Sequence, residues 1–148
     1  MRIALAILLL GILAEGTGRL AALEASAATT TPYPDFIARV RAHISPGSRV
    51  LGLHRYWLGL HDLDYRSWFV PIVQTDPRYW NPPRPIGAAL DDMRPDVILI
   101  DPRLREYFES PEAPSAEVLT WMARRGYQLT ATVEDATYGL MEIYRRNR

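Results

Sequence analysis

His54, His61, Asp62 and Asp64 fall within eleven positions of one another, in the least regular part of the chain. Neutral imidazoles and carboxylates are the donor set of zinc and manganese centres, and the same groups serve in acid–base catalysis. Their spacing follows no fixed metal-ligand pattern. The competing reading is that Asp62 and Asp64 cap turns and pair with Arg55 or Arg66. Ser67 is the nearest hydroxyl for a hydrolytic triad, but no G-x-S-x-G elbow surrounds it. Gly52 and Gly59 stand singly and Gly47 belongs to a turn, so no glycine loop is present to cradle phosphates. Tyr56, Trp57, Tyr65, Trp68, Tyr79 and Trp80 add apolar rings with polar tips, suited to stacking on sugars or to a membrane interface. The plainer expectation is that roughly half of them pack over a sheet. Arg55 and Arg66 have the geometry to grip a phosphate, although pairing with the neighbouring carboxylates competes. The candidate binding residues are Tyr56, Trp57, His61, Asp62, Asp64, Arg66 and Asp101; no catalytic residue, metal ligand or cofactor is assigned.

Asp101 enters this set through the element that places it. Val97-Ile98-Leu99-Ile100 is aliphatic without a break and is bounded by Pro95 and Pro102. Such a run suits a strand covered by helices on both faces. Ligand crevices in such sheets lie beyond the carboxyl ends of the strands, where Asp101 stands. Arg49 to Leu53 reads as the first strand. Phe69 to Val73 reads as a second, with Pro71 restricting it to an edge or a bulge. Phe36, Ile37, Val40 and Ile44 form one helical stripe stopped by Ser45-Pro46-Gly47. Ile86, Ala89, Leu90 and Met93 form another, ended ahead of Pro95. Pro102 to Glu109 reads as a short helix and Ser110 to Ser115 as a turn-rich link. Ser115 is placed to cap a helix that points Val118, Leu119, Met122 and Ala123 inward and stops at Gly126. Tyr127 to Val133 alternates as a half-buried strand, and Tyr138 to Tyr144 forms the last one. The order predicts an α/β domain: a small, mostly parallel sheet flanked by helices, with a C-terminal antiparallel hairpin at one edge.

The length of 148 residues suits one such domain. Zero formal net charge gives no general pull toward nucleic acid, and without cysteine there are no disulfides or thiolate metal sites. All basic residues are arginine. At the amino end, the 12 apolar residues Ile3 to Ala14 would span only about 18 Å as a helix, short of a hydrocarbon core of ~30 Å. Continuing to Leu23 supplies the length but includes Glu15 and Arg19, four apart and able to pair. Two readings compete for residues 1–26. A signal segment would use Arg2, the apolar run and a cleavage site at Ala25-Ser26-Ala27. A membrane anchor is preferred, because the charges fit a helix emerging into the interface better than a cleavage region. A buried soluble helix is the third option. Residues 27–33 then form a linker and 34–148 the α/β domain.

Four segments, RVLGL, RYWLGLHDLDYRSWF, RPDVILID and RRGYQLTATVEDATYGLMEIYRR, occur in that order. Together they resemble the C-terminal extracytoplasmic domain of bacterial polyprenyl-phosphate-sugar-dependent membrane glycosyltransferases, the protein O-mannosyltransferase-like (family 39-like) enzymes. The resemblance covers roughly Tyr33 to Arg146. It implies that the apolar amino end is a transmembrane helix in the cell membrane, crossing once, with the folded domain outside the cytoplasm. Cleavage would instead leave a secreted or periplasmic protein. That family works with many membrane helices and an acidic residue in an early extracytoplasmic loop. Neither has a counterpart here, so no catalytic residue carries over. The resemblance therefore implies a non-catalytic accessory domain, a detached terminal domain whose partner is the membrane, a multi-spanning glycosyltransferase subunit or a lipid-linked sugar. Two other functions remain open: a small enzyme using His54, His61, Asp62 and Asp64, and a sugar- or protein-binding module.

Overall fold

The computed structural model describes residues 2–110 and 115–147, so the expected turn at 111–114 lies outside the described residues, as does the side chain of Ser115. The chain divides into two compact units, Met1–Thr31 and Pro32–Arg148.

The first unit is one helix, α1, Arg2–Thr29. Its middle carries the Glu15–Arg19 pair at 2.6 Å, one turn apart as the spacing predicts. Near its end the Thr29 hydroxyl donates back to the Ser26 carbonyl at 2.8 Å. The helix takes in Ala27 to Thr29, which the sequence suggested as linker; the alanines there are strong helix formers. Among the described residues no helix is long and apolar enough to cross a membrane. The expected membrane-spanning helix is therefore unsupported: Glu15, Arg19 and Glu24 break the apolar stretch.

The second unit begins with α2 (Tyr33–Arg41) and β1 (Arg49–Gly52), followed by a 3-10 turn at His54–Tyr56 and the short helix α3 (Trp57–Leu60). Next come β2 (Asp64–Ser67), α4 (Phe69–Thr75), α5 (Ile86–Met93) and β3 (Val97–Ile100). The chain closes with α6 (Pro102–Glu109), α7 (Ser115–Arg124), β4 (Tyr127–Asp135) and β5 (Gly139–Arg146). The five strands form one sheet in the order β2-β1-β3-β5-β4.

β1 pairs in parallel with β2 and β3, whereas β5 pairs antiparallel with both β3 and β4. The sheet is thus mixed rather than mostly parallel. Its C-terminal hairpin joins through its second strand, β5, leaving β4 at the edge. The second strand is also not where the apolar run suggested. Phe69 to Thr75 is helical, and Pro71 sits in its first turn, where a missing N–H costs no hydrogen bond. The Ser67 hydroxyl accepts from the Phe69 N–H at 3.2 Å as the chain turns into that helix.

Alternation along the strands divides the core into two layers. Val50, Val97 and Leu99 face one side, packed with Phe36, Ile37 and Val40 of α2 and with Leu60. Leu51, Ile98 and Ile100 face the other, packed with Trp68, Ile86, Leu90, Leu104, Phe108 and Trp121. Every residue of β3 is buried, as its unbroken aliphatic run requires. In α7 the inward stripe is Val118, Trp121 and Met122, while Leu119 and Ala123 are exposed. In β4 a register shift between Leu129 and Ala131 inserts Thr130 as an extra residue. One extra residue exchanges the faces, so Tyr127 joins one core layer and Val133 the other, with Leu129 turned outward.

Candidate functional site

From β1 the chain runs outward to β2, then crosses back to place β3 on the other flank of β1. The carboxyl ends of β1 and β3 therefore border the point where the strand order reverses, the usual place for a crevice in an open α/β sheet. Leu53 to Tyr56 leave one strand there and Asp101 leaves the other.

Asp101 is buried, and its carboxylate is fully engaged. Oδ1 accepts from the Leu104 N–H at 2.8 Å, capping α6, whose first residue is Pro102. Oδ2 accepts from the Tyr56 hydroxyl at 2.8 Å and from Arg55 Nη2. The Arg55 guanidinium also lies 4.8 Å from the Tyr56 ring centroid, a cation–π contact. Two further tyrosines pin the same turn: Tyr33 donates to the Arg55 carbonyl at 3.0 Å and Tyr65 to the Leu53 carbonyl at 2.6 Å. Gly52 makes room for the second of these, since a Cβ there would lie 2.3 Å from the Tyr65 hydroxyl oxygen. Burial raises the Tyr56 and Tyr65 hydroxyls well above the ordinary tyrosine range, and the Asp101 carboxylate adds to both. Tyr56 is therefore a fixed donor to Asp101. The reversal point is closed by the protein's own side chains.

The structure separates the other expected residues. Arg41 holds Asp62 through both carboxylate oxygens and lowers its pKa to about 2. Asp64 accepts from Arg49 Nε at 3.0 Å and Arg66 Nε at 2.8 Å, the Arg66 bond leading the causes that hold its carboxyl below the usual range. The Asp64–Arg66 pairing follows the sequence reading; Arg55 instead reaches Asp101. His61 is exposed, with Nδ1 2.8 Å from the Leu58 carbonyl and its ring tilted against Trp57 at 6.0 Å between centroids. His54 is exposed in the 3-10 turn. Among the described residues no three metal-ligating side chains lie together. No protein-family model, curated protein or solved structure matches this chain.

Apolar surface is what the rim offers outward. Gly52 and Ser67 are register partners at the carboxyl ends of β1 and β2, so α3 and α4 both start from that end of the sheet. Their opening residues include Trp57, Leu58 and Phe69, which are 53%, 70% and 66% exposed. Phe69 lines a shallow cleft with Ile72, Val73, Tyr79 and Tyr107. By contrast Tyr56 and Trp68, neighbours of these rings in sequence, are buried. Sequence reasoning missed Arg41 and Arg49 as partners of the carboxylates. Those contacts join residues 21 and 15 positions apart and leave no local signal.

Proposed function

We propose that the unit from Pro32 onward is a non-catalytic accessory domain acting outside the cytoplasm beside membrane glycosyl transfer. In this reading it docks through its aromatic rim against the membrane helices of a multi-spanning glycosyltransferase subunit. The observation that carries the reading is the contrast at the rim. Asp62, Asp64 and Asp101 are each engaged by arginine, whereas Trp57, Leu58 and Phe69 are offered to a partner. An acid or base at work must be free to exchange a proton with substrate, and paired carboxylates are poorly placed for that. Exposed aromatic rings contribute most when an apolar partner covers them. The order of the four segments quoted above supplies the link to lipid-linked sugars. Attachment through α1 belongs to the same proposal and rests on the apolar run Ile3 to Ala14.

Two measurements test this. Full chain in detergent, supplied with polyprenyl-phosphate sugar and acceptor peptides, should show no turnover. Turnover that Asp62→Asn or Asp64→Asn abolishes would refute the accessory role. Co-expressed with a multi-spanning subunit encoded beside it, the chain should co-purify, and Trp57→Ser with Phe69→Ser should release it. Undiminished association of the double variant would remove the rim from the interface.

A further inference from the structure

A second feature lies away from the rim, between α4 and α5. A cleft of about 630 Å³ is lined by Arg49, Arg66 and Arg94 together with Gln74, and by Val70, Ala89 and Met93 as apolar wall. Its volume is in the range of small-molecule sites. Asp64 is shared between Arg49 and Arg66, so two guanidinium charges face one carboxylate. Asp92 also lines the cleft, but Arg84 neutralises it at 2.6 Å. Arg94 adds a further positive charge with no side-chain hydrogen-bond partner among the described residues; Asp91, whose carboxylate feels that charge, is itself held by Arg125 at 2.7 Å. Apart from that balanced pair, four arginines stand against two aspartates, leaving two positive charges.

The arginines are also prearranged. Arg49 is locked by Asp64 and by the Met93 and Arg94 carbonyls, at 3.2 and 3.1 Å, which commits Nε and Nη1 and leaves Nη2. Arg66 uses only Nε on Asp64, so both of its terminal nitrogens remain. Arg94 ends α5 at φ 46 and ψ 52, a left-handed position that glycine or asparagine fills more easily. An arginine kept where its backbone is strained points to a use for its side chain.

We infer that this cleft binds a phosphomonoester, with Arg66 and Arg94 on the phosphate, Arg49 as a fixed neighbouring charge, and the apolar wall under the attached organic group. Planar guanidinium forks match phosphate oxygens two at a time, and their charge assists each bond. The inference is independent of the accessory role proposed above, and either can fail alone.

The test uses full chain and butyl phosphate, followed by calorimetric titration, with butanol as control. Binding to butyl phosphate but not to butanol is expected. Loss of one charge-assisted contact corresponds to roughly tenfold weaker binding, expected for Arg66→Gln and again for Arg94→Gly. Arg94→Gly also relieves the left-handed strain, so it should raise Tm while weakening binding. A purely structural Arg94 would give the first effect without the second, and that outcome overturns its role as ligand. Vesicles containing phosphatidic acid, compared with phosphatidylcholine alone, form the other arm. Phosphatidic-acid-dependent co-sedimentation that Arg66→Gln abolishes would place the phosphate on a lipid headgroup instead of a soluble ester. Absence of binding in both arms, or binding indifferent to both substitutions, refutes the site.

Discussion

Removing the Asp101 carboxylate tests whether the reversal point of the sheet is a closed structural joint. Asp101→Ala deletes three interactions with different weights. The α6 cap, an Oδ1 bond of 2.8 Å, is worth about 1 kcal/mol. The Tyr56 hydroxyl loses its acceptor inside the core, a penalty of about 1–2 kcal/mol. Arg55 loses its counter-ion; its side chain is 31% exposed, so water replaces part of that contact and about 1 kcal/mol is lost. The expected total is about 3–4 kcal/mol. Asp101→Asn keeps an oxygen for the cap but turns an amide NH2 toward two donors, Tyr56 and Arg55, so a loss of about 2 kcal/mol is expected. Tyr56→Phe, which removes one hydrogen bond and leaves the ring, should cost about 1 kcal/mol. Urea titrations followed by tryptophan fluorescence measure all three, with an unchanged m-value showing that the denatured state is comparable. A gain of stability in Asp101→Asn would refute the reasoning, because it would mark a carboxylate held under strain for function.

Two further outcomes follow from the same turn and its surroundings. Gly52→Ala should cost about 1–3 kcal/mol by overpacking against the Tyr65 hydroxyl, and adding Tyr65→Phe should recover part of the loss; additive losses in urea titrations would contradict the clash. The hydroxyls of Tyr56 and Tyr65 are raised mainly by burial, as is that of Tyr127, to about 12. A group whose folded pKa exceeds its unfolded value near ~10 favours folding below that pH and loses this contribution as pH rises toward the folded value. Ultraviolet absorbance should therefore show these tyrosines ionising late and together with alkaline unfolding. Smooth ionisation of all tyrosines near their ordinary pKa in folded protein would count against the burial.

Much of the architecture was legible because it rests on local periodicity. The aliphatic run at Val97 to Ile100, the helix Pro102–Glu109 and the helix ending at Met93 lie where pattern and proline put them. Phe69 to Val73 misled because a short apolar run has no period of its own, and its proline is equally at home in a helix's first turn. The direction of the sheet was misread because the position of β5 between β3 and β4 is a tertiary fact. Thr130 defeated simple alternation in the same way: nothing in Tyr127 to Val133 announces an inserted residue. At the site, Asp101 was found from topology, but its partners were not. Arg55 sits 46 positions away and is brought in only by the parallel pairing of β1 and β3. The arginine at position 94 did carry a signal, a helix stop just before a proline, although the left-handed backbone behind it is visible only in three dimensions.

The inserted Thr130 has a consequence for how this domain meets other copies of itself. Within the unit from Pro32 onward, β2 and β4 each leave one row of backbone groups unpaired by the sheet. Such rows recruit further strands, the first step toward fibrils. β2 limits this by being four residues long and carrying Asp64 and Arg66. β4 has nine residues and an outward Leu129, which would make it the better template. At its centre, however, the bulge breaks the regular spacing, and the Thr130 hydroxyl donates to the Ile143 carbonyl at 3.1 Å. An incoming strand would find regular spacing only over the five residues from Ala131 to Asp135, with a break before them. The residue that confuses the sequence pattern thus also shortens the straight edge open to strand addition.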